Sequence, residues 1–167
     1  MGRRKDPEHV RARKREEILD AAMAVFEKHG RVEALSLRRL ADEMNLSYSA
    51  PYRYFISKED LLNALRTRAY RWIERSMLTA IADIASPMQP LEAIAAAYIS
   101  GGIEHPHRYA LMFFNVDDAG SSLYPLELQA AKRDALDVCT RVIASLQTSG
   151  RFPQTMDPLT ASHLFWA

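Results

Sequence analysis

A single cysteine, Cys139, among 167 residues leaves no pair for a disulfide framework. Long apolar runs are missing too: the longest stretch without a charged residue is the eleven residues from Ala93 to Ile103, against the roughly 20 that a bilayer span requires. The first residues carry Arg3, Arg4 and Lys5 with no apolar segment behind them, so no secretory signal is expected and the site of action is expected in the cytoplasm. Glycine is scarce, at six residues, and nowhere builds a Gly-rich phosphate loop. No segment alternates apolar and polar residues with the two-residue period of a strand.

What is present is an ordinary share of apolar residues, 48%, and of charged ones, 26%. The net charge of +1 averages two unlike halves. Residues 1–75 hold 17 Lys/Arg against 12 Asp/Glu, or +5, whereas residues 76–167 hold 5 against 9, or −4. A basic first half suits a polyanion such as DNA, and the acidic second half does not. The excess peaks at the very start, at Arg3, Arg4, Lys5, Arg11, Arg13, Lys14 and Arg15, and fits a basic N-terminal arm or simply a solvated end.

Apolar residues recur at helical spacing, so the fold class is all-α. Asp6, Pro7 and Glu8 read as a cap with Pro at the first helical position, Ile18, Ala22, Val25 and Phe26 as a buried stripe, and Lys28, His29 and Gly30 as the end of the first helix. Ser36 caps a second helix with Leu37, Leu40, Ala41 and Met44 on one face, and Asn45 to Ser47 break it. A third, very short helix is predicted over Tyr52 to Phe55, with Leu46 and Phe55 as core. Ser57 then opens a long fourth helix whose stripe is Leu61, Leu65, Ala69, Trp72, Ile73, Met77 and Ala80. Beyond Pro87 and Pro90 a fifth helix carries Leu91, Ile94, Ala95, Tyr98 and Ile99 and breaks or ends near Gly101, Gly102, His105 and Pro106. A sixth starts at Pro106 with Tyr109, Met112, Phe113 and Val116. A seventh spans 123–146 with apolar residues on more than one face, which implies two-sided burial. Asp157 and Pro158 cap an eighth, in which the chain stops at Trp166 and Ala167.

Two short helices around a three-residue break, the second rich in tyrosine and arginine, are what a helix-turn-helix requires. The run KREEILDAAMAVFEKHGRVEALSLRRLADEMNLSYSAPYRYFISKEDLLNAL, residues 14–65, resembles the DNA-binding domain of the TetR family of transcriptional regulators. The APYRYF stretch and the later IEHPHRYALMF further resemble a subgroup with APYRHF-like recognition helices and an EHP..Y.LMF ligand-domain segment. The resemblance implies that Ser47, Tyr48 and Ser49 approach base edges and phosphates, that Tyr52 and Tyr54 touch the sugar-phosphate backbone, and that Lys58 contacts a phosphate. Ser36 with Arg38 or Arg39 would hold the other backbone wall, and Arg53 would either reach DNA or pair with Asp42, Glu43 or Glu59. Pro51 stands where the family commonly has an aliphatic residue, and it is expected to push Ala50 out of α geometry.

For the C-terminal half the resemblance implies a small-molecule site and dimerisation. Met77, Tyr98, Met112, Phe113, Tyr124, Phe165 and Trp166, with Met88 and Phe114, supply soft and aromatic surface that suits an apolar pocket, although helical spacing fits plain core as well. An enzyme would have to use His105, His107, Asp117, Asp118, Cys139 and His163, yet His105 and His107 do not share a helix face, and no HExxH or paired Glu-x-x-His pattern exists. No catalysis, metal or cofactor is therefore expected, and Cys139 on a buried stripe reads as inert packing.

The expected architecture is a helix-turn-helix DNA-binding domain over residues 1–56 with a basic N-terminal arm, followed by a helical ligand-binding and dimerisation domain over 57–167 that lacks its C-terminal continuation. The expected function is a homodimeric repressor that is released from a palindromic operator in double-stranded DNA by an apolar small molecule, with no membrane partner. The rival is a DNA-binding dimer without a ligand, its C-terminal half serving only assembly.

Overall fold

The computed structural model describes residues 7–82, 84, 89–113 and 124–166. The readings placed on Arg3, Arg4, Lys5, Asp6, Met88, Phe114, Val116, Asp117, Asp118 and Ala167 lie outside the described residues. Among those described there are seven α-helices, two short 3-10 turns and no strand: α1 Glu8–His29, α2 Leu37–Glu43, α3 Lys58–Ile81, α4 Gln89–Glu104, α5 Pro106–Phe113, α6 Leu126–Thr148 and α7 Pro158–Trp166. The expected third helix is one of the 3-10 turns, Pro51–Arg53, so the fourth to eighth expected helices are α3 to α7. No helix of the described residues is long and apolar enough to cross a membrane.

The chain groups into two compact units, residues 1–65 and 66–167. The division falls inside α3, whose first helical turns bury Leu61, Leu62 and Leu65 with the first core. That core joins Ile18, Leu19, Ala22 and Phe26 of α1, Leu35, Leu37 and Leu40 at α2, and Phe55. Burying a side chain such as Phe26 or Phe55 contributes about 2 to 3 kcal/mol before entropy is counted.

Local chemistry sets the helix ends. Arg11, Arg13, Lys14 and Arg15 lie in the first half of α1, whose N-cap is Pro7 with extended backbone, so helical geometry starts one residue later than expected. Gly30, at φ 64°, takes the left-handed conformation and gives its N–H to the Phe26 carbonyl at 2.7 Å. Gly150, at φ 71°, plays the same part after α6, where the amides of Gly150 and Arg151 donate to Gln147 and Leu146.

In the second unit α6 buries Leu128, Ala131, Ala135, Val138, Cys139, Ile143 and Leu146. On the second apolar side Ile143 is buried and Leu136 half-buried, while Val142 of the first side is half-buried. Asp157 caps α7 by accepting from the Thr160 amide at 3.0 Å. Ser162 is fully buried and accepts from the Thr140 hydroxyl at 2.9 Å, which ties α7 to α6.

α4 passes through its glycine pair and ends just before His105 and Pro106, at the C-terminal side of the expected range. It runs on to Glu104, with Gly101 buried against α3, where a Cβ would stand 2.8 Å from Trp72 Cη2 and 3.2 Å from Ile73 Cδ1. Close helix approach, not a helix end, accounts for Gly101. Ile99 and Phe113, expected in apolar stripes, are exposed, because they lie on the sides of α4 and α5 away from these contacts.

Candidate nucleic-acid interface

Ser36 has extended backbone, and its hydroxyl accepts from the Arg39 amide at 3.1 Å, which starts α2. At the other end Asn45 adopts φ 52°, while the amides of Asn45 and Leu46 donate to Asp42 and Ala41 at 3.1 and 2.8 Å. This is a Schellman closure with Asn where Gly is commonest. It throws the chain outward, so Leu46, expected in the core, is exposed.

The recognition segment is then a series of tight turns. Ala50 donates to the Ser47 carbonyl at 2.8 Å, Arg53 to Ala50 at 3.2 Å, and Tyr54 and Phe55 to Pro51 at 3.0 Å each. Contrary to expectation, Ala50 keeps α geometry, at φ −65° and ψ −49°. The restriction before proline is a steric bias against Cβ and N–H crowding, and at the small Ala50 the hydrogen bond to its carbonyl outweighs it. Phe55, fully buried, anchors the segment.

Two α1 arginines brace it from behind. Arg11 Nη2 donates to the Arg53 carbonyl at 3.4 Å, and the Arg15 guanidinium lies 4.9 Å from the centre of the Phe55 ring. Sequence reasoning gave neither this role, although positions 11, 15, 18 and 22 fall on one helix face with the buried Ile18 and Ala22, a signal that was readable.

The Ser57 hydroxyl accepts from the Asp60 amide at 3.1 Å, and the Asp60 carboxylate reaches back to the Ile56 amide at 3.0 Å, a reciprocal cap for α3. Lys58 follows directly at the positive end of this helix, and its ammonium has no hydrogen-bond or ion-pair partner among the described residues. Tyr48 and Tyr52 are each about half exposed, at 52% and 55%, and Ser47 and Ser49 are exposed with hydroxyls 3.4 Å apart. Tyr54 is half-buried beside them. Arg38 lies against the Tyr48 ring, its guanidinium carbon 4.7 Å from the centroid, while Arg39 Nη2 meets His29 Nε2 at 2.9 Å. Exposed hydroxyls, two of them paired with each other at Ser47 and Ser49, one ammonium and a guanidinium fork thus stand close along the chain beside a helix N-terminus, which is the equipment for holding phosphates and base edges.

The C-terminal candidates divide into three groups. Tyr98 packs with Phe165 and Trp166, ring centroids 6.2 and 5.1 Å apart, and reaches Phe113 through Tyr109, which sequence reasoning had left out of the pocket. The Tyr109 hydroxyl donates to that of Tyr98 at 2.8 Å. Burial, and then this hydrogen bond, push the Tyr98 hydroxyl well above the ordinary tyrosine range. Met77 and Met112 are buried core residues, and the Met112 carbonyl accepts from Tyr70. Tyr124 makes its ring contact with Lys132 instead, whose ammonium burial pushes down in pKa, with Arg66 adding to the effect. Burial also raises the Cys139 thiol, against the thiolate a reactive cysteine needs. No group of three or more His, Cys, Asp or Glu among the described residues could hold a metal ion.

Residues 18–65 match the bacterial regulatory proteins of the tetR family, and residues 91–167 match the tetracyclin repressor-like C-terminal domain. Among curated relatives, the HTH-type transcriptional repressor KstR2 of Mycobacterium tuberculosis is 26% identical over 100 residues, 60% of this chain and 49% of the relative. The chain thus spans about half the length of the first curated relatives it matches. A solved protein of unknown function from Rhodococcus sp. RHA1 is 27% identical, with a TM-score of 0.79 over 92% of this chain and 77% of that one. AibR, solved in complex with isovaleryl coenzyme A and operator DNA, shares the fold at 19% identity, with a TM-score of 0.67 over 92% of this chain and 82% of its own.

Proposed function

We propose that this chain, which carries both the N-terminal and the C-terminal domain of a TetR-type regulator, is a cytoplasmic DNA-binding transcriptional repressor that acts as a homodimer on a palindromic operator. The observation that carries this reading is the recognition segment between α2 and α3, exposed and braced from α1, with Lys58 at the helix end beside it and without a partner among the described residues. Phosphate contacts from Tyr52, Tyr54 and Lys58 supply most of the affinity, and Tyr48 and Ser49 influence sequence choice.

Release by an apolar small molecule is the second part of the proposal. The aromatic cluster of Tyr98, Tyr109, Phe113, Phe165 and Trp166 supports it by offering soft, ring-lined surface. AibR, which shares this fold, was solved in complex with isovaleryl coenzyme A and operator DNA. The same rings pack on one another, which favours the rival reading of a DNA-binding dimer with no ligand.

Selection from a randomised duplex pool tests the first part, with an enriched palindrome bound in a salt-dependent manner as the expected outcome. A pool that shows neither enrichment nor salt dependence would remove the reading. Thermal shift against apolar metabolites separates the rivals, because any ligand that binds the folded state raises its stability.

A further inference from the structure

We propose that Arg38 and Tyr48 act as one stacked reading element that selects a guanine in the major groove. The pair can do so only if this chain binds DNA, so it rests on the function proposed above. Arg38 belongs to α2 and Tyr48 to the recognition segment, and the left-handed turn at Asn45 brings them together with the guanidinium carbon 4.7 Å from the ring centroid. Both side chains are exposed, and this ring contact is the one interaction either makes among the described residues.

The guanidinium lies over the ring, and its N–H groups donate to no acceptor among the described residues. The ring contact leaves the N–H fork of Arg38 unspent and restricts its rotamers before DNA arrives, which lowers the entropy lost on binding. A planar fork of two parallel donors matches one base edge in the major groove best, the O6 and N7 acceptors of guanine. The other arginines of α1 and α2 are engaged elsewhere: Arg39 with His29, Arg11 with the Arg53 carbonyl, Arg15 with the Phe55 ring and Arg13 with Glu17. Arg38 therefore moves from the nonspecific backbone wall to the specificity of the site, with Tyr48 as the residue that positions it.

The test uses the full chain and the duplex enriched from a randomised pool, followed by its single base-pair variants read by fluorescence anisotropy at fixed salt. The enriched site should contain symmetric G·C pairs whose replacement by A·T weakens binding about tenfold or more. Arg38→Lys keeps the charge but not the fork, and Tyr48→Leu removes the ring; each should flatten that preference while the salt dependence stays unchanged. The double variant should lose no more than either single one, and Tyr48→Phe, which keeps the ring, should keep the preference for G·C whatever the lost hydroxyl does to overall affinity. Because both positions are exposed, unchanged melting curves serve as the folding control. An enriched site whose ranking ignores Arg38→Lys, or single losses that add independently, would overturn the pair alone. A pool with no enriched sequence would overturn the pair and the DNA-binding function together.

Discussion

At the residue scale, two neighbouring glycines on α4 have opposite consequences. Alanine favours a helix over glycine by about 1 kcal/mol, and at Gly102 the added methyl would meet only the Tyr109 ring, at an ordinary 3.5 Å. Gly102→Ala should therefore raise thermal stability. Gly101→Ala should lower it, because the methyl would stand 2.8 Å from a Trp72 ring that is itself held by His105 and Arg108, and overpacking of this kind costs about 1 to 3 kcal/mol. Differential scanning calorimetry of the two variants gives the comparison; a Gly101→Ala protein more stable than its parent would show that Trp72 yields freely. Tyrosine ionisation provides a second measurement. Burial pushes the Tyr70 hydroxyl up to about 12 and the Tyr98 hydroxyl up as well. A raised folded-state pKa contributes stability that is complete below the unfolded value of 10 and fades as pH climbs through the folded one. Denaturant midpoints should accordingly fall between pH 10 and 12, and Tyr98→Phe should make that fall shallower. A midpoint that stays level across this window in the parent would contradict the burial of both hydroxyls.

Among the elements, the helix-turn-helix depends on its caps. Ser36→Ala removes the acceptor for the Arg39 amide and should cost about 1 kcal/mol. Asn45 is the one non-glycine residue with positive φ among those described, so Asn45→Gly should be close to neutral, whereas Asn45→Val, which forces a β-branched side chain into that region, should cost about 1 to 2 kcal/mol. Urea midpoints of the three variants read these effects directly, and a neutral Asn45→Val would mean that the turn reforms in another geometry. Because the turn also sets where Tyr48 meets Arg38, Asn45→Val should weaken DNA binding more than its stability loss alone explains.

For the whole molecule, α3 is a single helix with Lys58 in the first unit and Trp72, Ile73 and Met77 in the second. Lys58→Ala should weaken binding to every duplex about equally and reduce the slope of log affinity against log salt by about 1, since one phosphate contact and its released counterion are lost. A change in sequence ranking without a change in slope would place Lys58 at a base instead. If an effector found by thermal shift releases the operator, operator must weaken effector binding by the same factor, typically ~5- to 150-fold. Calorimetric titrations of effector with and without operator should therefore return two affinities; a single value would separate effector binding from DNA release.

Much of this was legible without coordinates. Helical periodicity, Ser36, Ser57 and Asp157 before runs of apolar residues, and Gly30 after one are local signals, and the elements they mark depend on backbone hydrogen bonding within a few residues. The residue types of the recognition segment and the charge contrast between the halves are likewise properties of the chain. What tertiary structure decided were the partners of side chains distant in sequence. Arg11 and Arg15, legible only as basic residues, became braces for Arg53 and Phe55, and Gly101, legible as a break or end of its helix, became a contact with Trp72. Tyr109 joined the aromatic cluster at Tyr98, and Leu46 left the core. Spacing along one helix ranks the faces of that helix, but which face meets which neighbour depends on how several helices share a common volume, and no single segment carries that information.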